Sequence, residues 1–181
     1  MDHPYYSPWW EWPVIGKPMW YVSEQFLPLN SSVCYSIFCF GNPIIWFGGL
    51  GALAACVLRA IAERRYRLPE NDLEWHMGIS SFDHRYVFVI VGLLAQYLPW
   101  ILVPRGTYIY HYFASIPFLI TAAGLCFDMP GRKARTAARA VAAVFIIAAA
   151  VFFVILFPYA SGLAVSRGWL DIGRSILRIW Y

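Results

Sequence analysis

The sequence predicts an all-α integral membrane protein: four transmembrane helices, an external aromatic-rich loop before them and an interfacial amphipathic helix after them. Three observations predict it. Of 181 residues, 60% are hydrophobic and 13% charged, against roughly 45–50% and about 25% in soluble domains, and the mean hydropathy is +0.55. The apolar residues gather into four runs of the length that crosses about 30 Å of hydrocarbon. Aromatic residues make up 19% of the chain and include nine tryptophans, the residue type that settles at membrane–water interfaces.

The four runs cover residues 44–61, 86–103, 106–127 and 137–159. Hydrocarbon offers no partner to an unpaired backbone amide, so helices are the form these runs must take. They divide the chain into a loop at 1–42, a four-helix membrane domain at 43–160 and a tail at 161–181. The result is a multi-pass protein, in the cell membrane of a prokaryote or the endoplasmic reticulum of a eukaryote, the former preferred.

Basic residues set the orientation. Arg64, Arg65, Arg67 and Arg85 flank the first connection, and Arg132, Lys133, Arg135 and Arg139 the third. The other side carries Lys17, Arg105, Arg167, Arg174 and Arg178. Eight against five places the first and third connections in the cytoplasm and both termini outside. Only two of the fourteen basic residues are lysines, and no basic run interleaves with aromatics, so nucleic acid is not an expected partner.

The loop at 1–42 holds Trp9, Trp10, Trp12 and Trp20 among five prolines. It reads as an irregular interfacial segment whose plainest role is anchoring. Residues 1–30 lack the basic stretch and short apolar block of a cleavable signal. The first helix is therefore expected to direct its own insertion or to follow further protein. Asn42-Pro43 stops one element and starts a helix, while Gly48-Gly49 lets a neighbouring helix come close. In the tail, Val165, Trp169, Ile172, Ile176 and Trp180 alternate with Arg167, Asp171, Arg174 and Arg178 at helical spacing, as in a helix lying in the membrane plane.

Cys56 and Cys126 sit in apolar runs, where a small buried thiol is ordinary. Cys34 and Cys39 have neither metal-ligand nor redox spacing. No metal and no cofactor are expected.

The most informative stretch runs from Tyr97 through Pro99, Trp100, Pro104 and Arg105 to Tyr108, Tyr110, His111, Tyr112 and Phe113. It joins two spans by a minimal connection. In a helix beginning at Gly106, positions 105, 108 and 112 share one face and 108, 111 and 115 an adjacent one. The plain reading of Arg105 is a side chain snorkelling to lipid headgroups. The functional reading is a guanidinium that grips a phosphate with two parallel hydrogen bonds. His111, one turn into a membrane helix, is either a satisfied interhelical contact or a functional group facing water.

Tyr97-Leu98-Pro99-Trp100, Arg105 and Tyr110-His111-Tyr112 resemble the C-terminal membrane region of the protein O-mannosyltransferases. So do His3-Pro4-Tyr5, Ser7-Pro8-Trp9 and Trp12-Pro13 before it, and Gly41-Asn42-Pro43 with Trp46 and Ser161-Gly162-Leu163 with Trp169 around it. The resemblance covers nearly the whole chain, in order. It implies inverting transfer of mannose from a polyprenyl or dolichyl phosphate to Ser or Thr hydroxyls of an acceptor protein, at the non-cytoplasmic face, without a nucleotide sugar. On this reading Arg105 holds the carrier phosphate while Tyr108, His111 and Tyr112 shape its pocket, and His3, Trp9 and Trp12 are candidates in the external loop. The family's catalytic acids, an Asp followed by a Glu, lie in a loop upstream of anything present here. The external acids Asp2, Glu11, Glu24 and Asp171 do not match them.

This chain is therefore expected to be enzymatic by resemblance but inactive without an N-terminal half, whether as a truncated frame or as one piece of a split enzyme whose other half is a partner. The alternatives are a non-catalytic four-helix protein that binds a lipid phosphate or scaffolds a partner, and a related transferase with another acceptor.

The orientation is testable with single-cysteine variants at Ser32, Asn71 and Ser175 in intact cells. Impermeant maleimide is expected to label positions 32 and 175 and to spare 71; labelling of 71 from outside overturns the orientation.

Overall fold

The computed structural model describes residues 5–27, 30–66, 84–128 and 132–177. A 3-10 turn, Trp9–Val14, precedes two strands, β1 (Met19–Leu27) and β2 (Asn30–Cys39). Then come helices α1 (Pro43–Tyr66) and α2 (His84–Tyr97), the latter running into a 3-10 turn at Leu98–Leu102. A second 3-10 stretch, Ile109–Ser115, leads into α3 (Ile116–Phe127). The long α4 (Arg132–Ser161), the short β3 (Val165–Ser166) and α5 (Arg167–Leu177) complete the described chain.

Four helical stretches are long and apolar enough to span a bilayer: Pro43–Ala62, His84–Leu102, Ile109–Phe127 and Lys133–Ser161. These match the four expected runs, with ends shifted by up to four residues. The bundle's packing starts at the Gly-Asn-Pro junction. Asn42 Oδ1 accepts the amides of Ile44 (3.0 Å) and Ile45 (3.4 Å), which caps α1. Its Nδ2 donates to the Ala149 carbonyl of α4 at 2.8 Å. One side chain thus starts the first span and ties it to the fourth.

The glycine pair behaves as expected. A Cβ on Gly49 would stand 2.7 Å from the Leu119 Cβ of α3, and one on Gly48 would overlap the Phe145 ring of α4. The backbones approach because nothing stands between them, which is how helices associate where no hydrophobic force separates lipid from protein.

The irregular loop expected before the bundle is corrected by the structure: Met19–Leu27 and Asn30–Cys39 form a β-hairpin. β1 pairs antiparallel with β2, with Met19 opposite Cys39 and Trp20 opposite Phe38. β3 adds to the other edge of β2, with Val33 opposite Ser166. Cys34, Ser36 and Phe38 are buried while Tyr35 and Ile37 are not, the period of two that a strand imposes. The sequence Val33-Cys34-Tyr35-Ser36-Ile37-Phe38 shows no matching polar alternation, because its outer face is apolar too.

The tail forms the expected helix, but its apolar stripe divides. Leu170 and Gly173 are buried against the bundle while Ile172 is 51% exposed. The Tyr159 hydroxyl donates to the Leu170 carbonyl at 2.7 Å, with the Trp169 carbonyl 3.0 Å away. Trp169 Nε1 donates to Ile155 at 3.0 Å, and Phe38 packs on the Tyr159 ring at 4.7 Å. Helix α5 is therefore fastened to the end of α4 and to the sheet, leaving Ile172 for the interface. Trp180, the last member of the stripe, lies outside the described residues.

Candidate functional site

The site forms where the connection between the second and third spans meets the N-terminal segment. Pro99 and Pro104 shape that connection. Proline lacks an amide and pushes its predecessor out of the helical region; α2 accordingly tightens into a 3-10 turn at Leu98, and Val103 is extended (φ −85°, ψ 110°). Tyr108 is extended as well (φ −143°, ψ 157°). Residues 103–108 are thus not helical, and the helical face expected to join positions 105, 108 and 112 does not exist.

The extended stretch instead pairs with the N-terminal segment. The Ser7 amide donates to the Thr107 carbonyl at 3.0 Å, and the Thr107 hydroxyl returns a hydrogen bond to the Ser7 carbonyl at 2.9 Å. Both residues are buried. Trp12, fully buried, donates from Nε1 to the Ser7 hydroxyl at 3.1 Å and lies 3.2 Å from its carbonyl. The Trp12 carbonyl accepts from Trp46 Nε1 of α1 at 3.0 Å, and the Trp9 carbonyl accepts from the Tyr97 hydroxyl of α2 at 2.8 Å. Buried backbone carbonyls must find donors. In this turn, side chains of three different elements supply them.

His111 is enclosed by rings: Trp100 at 4.1 Å, Tyr110 at 4.3 Å, and Trp12 stacked at 5.8 Å and 22°. Its Nδ1 lies 3.1 Å from the Tyr108 amide nitrogen and 2.9 Å from the Tyr108 carbonyl. A neutral ring that accepts the amide proton carries its own proton on Nε2. A protonated ring donates to the carbonyl instead.

Tyr108 stacks beside Tyr110 at 5.8 Å and beside His111 at 6.4 Å. Tyr112 turns the other way, buried between Trp46 (5.1 Å) and Tyr97 (5.4 Å). Arg105 is exposed, with no hydrogen-bond or ion-pair partner among the described residues. The structure therefore brings Tyr108 and His111 together, sets Tyr112 behind them, and leaves Arg105 at the surface of the same connection. Trp9 is half-buried against Tyr97 at 5.7 Å. Trp12 is a core residue and not a membrane anchor, whereas Trp10, 61% exposed, suits that role. His3 lies outside the described residues. Ser7, Tyr97, Trp100 and Thr107 went unassigned because their roles depend on partners as distant as the 100 residues between Ser7 and Thr107.

Two features flank this corner. An apolar groove of about 380 Å³ opens between the start of α1 and the start of α3, lined by Ile45, Trp46, Phe113, Ile116 and Ile120. At the end of β2, burial pushes the Cys39 thiol up to about 11, and burial also raises Tyr21 beside it. Cys39 therefore stays protonated at neutral pH.

A family model for the C-terminal four-transmembrane region of protein O-mannosyltransferase matches residues 1–175. Dolichyl-phosphate-mannose–protein mannosyltransferase 1 of Schizosaccharomyces pombe is 28% identical over 162 residues, 87% of this chain and 17% of the relative. The polyprenol-phosphate-mannose–protein mannosyltransferase of Mycobacterium tuberculosis is 25% identical over 178 residues, 91% of this chain and 30% of the relative. The chain thus spans less than a third of either. Among solved structures, the Saccharomyces cerevisiae protein O-mannosyltransferase Pmt1–Pmt2 complex bound to its sugar donor matches with a TM-score of 0.65 at 20% identity. That match covers 90% of this chain and 22% of the other, and at such identity it establishes the fold alone.

The Trp12 junction makes a graded prediction for thermal unfolding in detergent. Trp12→Phe keeps a ring against His111 and loses one hydrogen bond, costing about 1 kcal/mol. Trp12→Ala empties the junction and costs about 3–5 kcal/mol. Parent-like unfolding of the alanine variant contradicts the packing described.

Proposed function

This chain belongs to the protein O-mannosyltransferase family, as its C-terminal four-helix membrane region, and on that premise we propose that it supplies the carrier-lipid side of a mannosyl transfer. Mannose passes from a polyprenyl or dolichyl phosphate to a Ser or Thr hydroxyl of an acceptor protein. The acceptor oxygen bonds to the anomeric carbon as the bond from that carbon to the carrier phosphate breaks. The configuration inverts, the hydroxyl proton goes to a carboxylate, and the carrier departs as its phosphate monoester. Arg105 stabilises the charge that collects on that phosphate. Tyr108 and His111 line the pocket, with Tyr112 supporting them from behind, and Trp9 and Trp12 hold the outer segment over it.

The observation that carries the reading is Arg105 itself. It is exposed, without a partner among the described residues, on a connection at the end of the bundle that carries the sheet and α5. Two features support it: the imidazole three residues into the adjoining 3-10 stretch, and the apolar groove that begins at Phe113. A phosphate with a long isoprenoid tail needs a cation at the membrane surface and an apolar channel beside it.

No acid within these residues matches the family's catalytic pair. The carboxylate base therefore comes from the preceding spans, and the 181 residues by themselves do not turn over. The partners are those spans, the carrier and the acceptor protein, at the non-cytoplasmic face of the cell membrane in a bacterium or the endoplasmic reticulum in a eukaryote.

The test is polyprenyl-phosphate binding and mannosyl transfer by the chain reconstituted in liposomes with the preceding spans of a family member. A hydrogen bond to a charged group is worth about 1.5–3 kcal/mol. Arg105→Ala is therefore expected to lower carrier affinity about 10- to 100-fold, and Arg105→Lys, which keeps charge but loses the planar fork, to lower it less. If Arg105→Ala binds carrier like the parent, the residue is a headgroup anchor and the phosphate site is elsewhere.

A further inference from the structure

The seam between α1 and α3 closes tightly because small residues line it. On α1 these are Gly49, Ala52, Cys56 and Ala60, at steps of three and four; on α3, Ala122, Ala123 and Cys126 follow Leu119. Cys56, Ala60, Ala122 and Ala123 are buried. At the end of the seam farther from the His111 corner, two cysteine side chains meet across the helices. The sulfurs of Cys56 and Cys126 are 4.0 Å apart, although the residues are 70 positions apart in the chain.

The contact is reciprocal. The Cys56 thiol donates to the Ala122 carbonyl at 3.7 Å, and the Cys126 thiol donates to the Ala52 carbonyl at 3.4 Å. Each thiol thus rests on the carbonyl four residues before the other cysteine, holding both side chains toward the same gap. A small buried thiol as filler explains either residue alone. It does not explain two sulfurs aimed at each other from different helices.

We propose that Cys56 and Cys126 form a reversible dithiol–disulfide site that links the first and third spans. The two sulfurs must close from 4.0 Å to the roughly 2 Å of a disulfide, a movement of the order that side-chain rotation supplies, with each sulfur already within 3.7 Å of a carbonyl of the facing helix. Cys126, half-buried, is the accessible member, and Cys56, fully buried, the resolving one. Hydrogen peroxide oxidises Cys126 to a sulfenic acid, and one water leaves. The Cys56 sulfur then attacks that sulfur, the S–S bond forms and a second water leaves. Two thiols lose two hydrogens and two electrons, and one peroxide becomes two waters. Proximity favours this outcome over further oxidation, since the Cys56 sulfur already lies 4.0 Å from the Cys126 sulfur. Cys34 and Cys39 cannot compete as a pair: five positions apart on β2, they face opposite sides of the strand.

The experiment treats the chain in lipid nanodiscs with hydrogen peroxide, then maps its peptides by mass spectrometry. The expected product is a single Cys56–Cys126 linkage, lighter than the parent by two hydrogens and reversed by dithiothreitol. The linkage is read on the unmodified chain, so it does not depend on a variant folding. A Cys34→Ala, Cys39→Ala background is expected to retain it, and Cys126→Ser to abolish it. Recovery of Cys56 and Cys126 as unlinked thiols or separate sulfinic acids, at doses that oxidise the chain's methionines, overturns the proposal.

Discussion

The carbonyls of the N-terminal segment around its short 3-10 turn are the constraint from which the geometry of this corner follows. The turn supplies some donors itself, as where the Ile15 amide donates to the Trp12 carbonyl at 3.0 Å, and within it Ser7 and Trp12 are buried while Trp10 is exposed. Thr107, Tyr97 and Trp46 each donate to one of its carbonyls, and Trp12 reaches back to Ser7. Each hydrogen bond is worth only about 1 kcal/mol net, but an unsatisfied buried carbonyl costs about 1–3 kcal/mol. The segment therefore docks in one place. Once docked, Trp12 lies flat against His111, so the orientation of the imidazole depends on residues a hundred positions earlier.

The rest of the bundle obeys a different rule. Inside hydrocarbon the backbone is satisfied by helices, and association depends on how close the helices come. Gly48, Gly49 and Asn42 govern this for the first span, two by absence of side chain and one by a hydrogen bond to Ala149. At the opposite end of the bundle, Arg85 and Asp128 pair at 2.8 Å but remain exposed, and such a pair adds little. Shape, more than charge, fixes the arrangement.

What was legible in the sequence follows from this division. Spans declare themselves because twenty consecutive apolar residues have few other meanings, and the Gly-Asn-Pro start and glycine pair act through local backbone geometry. The hairpin was hidden because β2 is apolar on both faces. The third span was expected to begin at Gly106, yet Pro104 and the Ser7–Thr107 pairing keep residues 103–108 extended, and the 3-10 stretch starts only at Ile109. The four candidate residues are neighbours in sequence but not on one face: Tyr112 points into the core while Tyr108 stays with His111. The meeting of Cys56 with Cys126 is a property of the seam, and no spacing rule announces it.

The central functional claim is that a carrier phosphate rests at the connection between the second and third spans, and it is open to direct observation. A polyprenyl phosphate bearing a photoreactive group next to the phosphate, irradiated with the protein reconstituted beside the N-terminal spans of a family member, reports where the headgroup sits. The account predicts adducts within residues 100–113, competed by unlabelled carrier and reduced in Arg105→Ala. Adducts confined to α4 and α5, with residues 100–113 unlabelled, would contradict it.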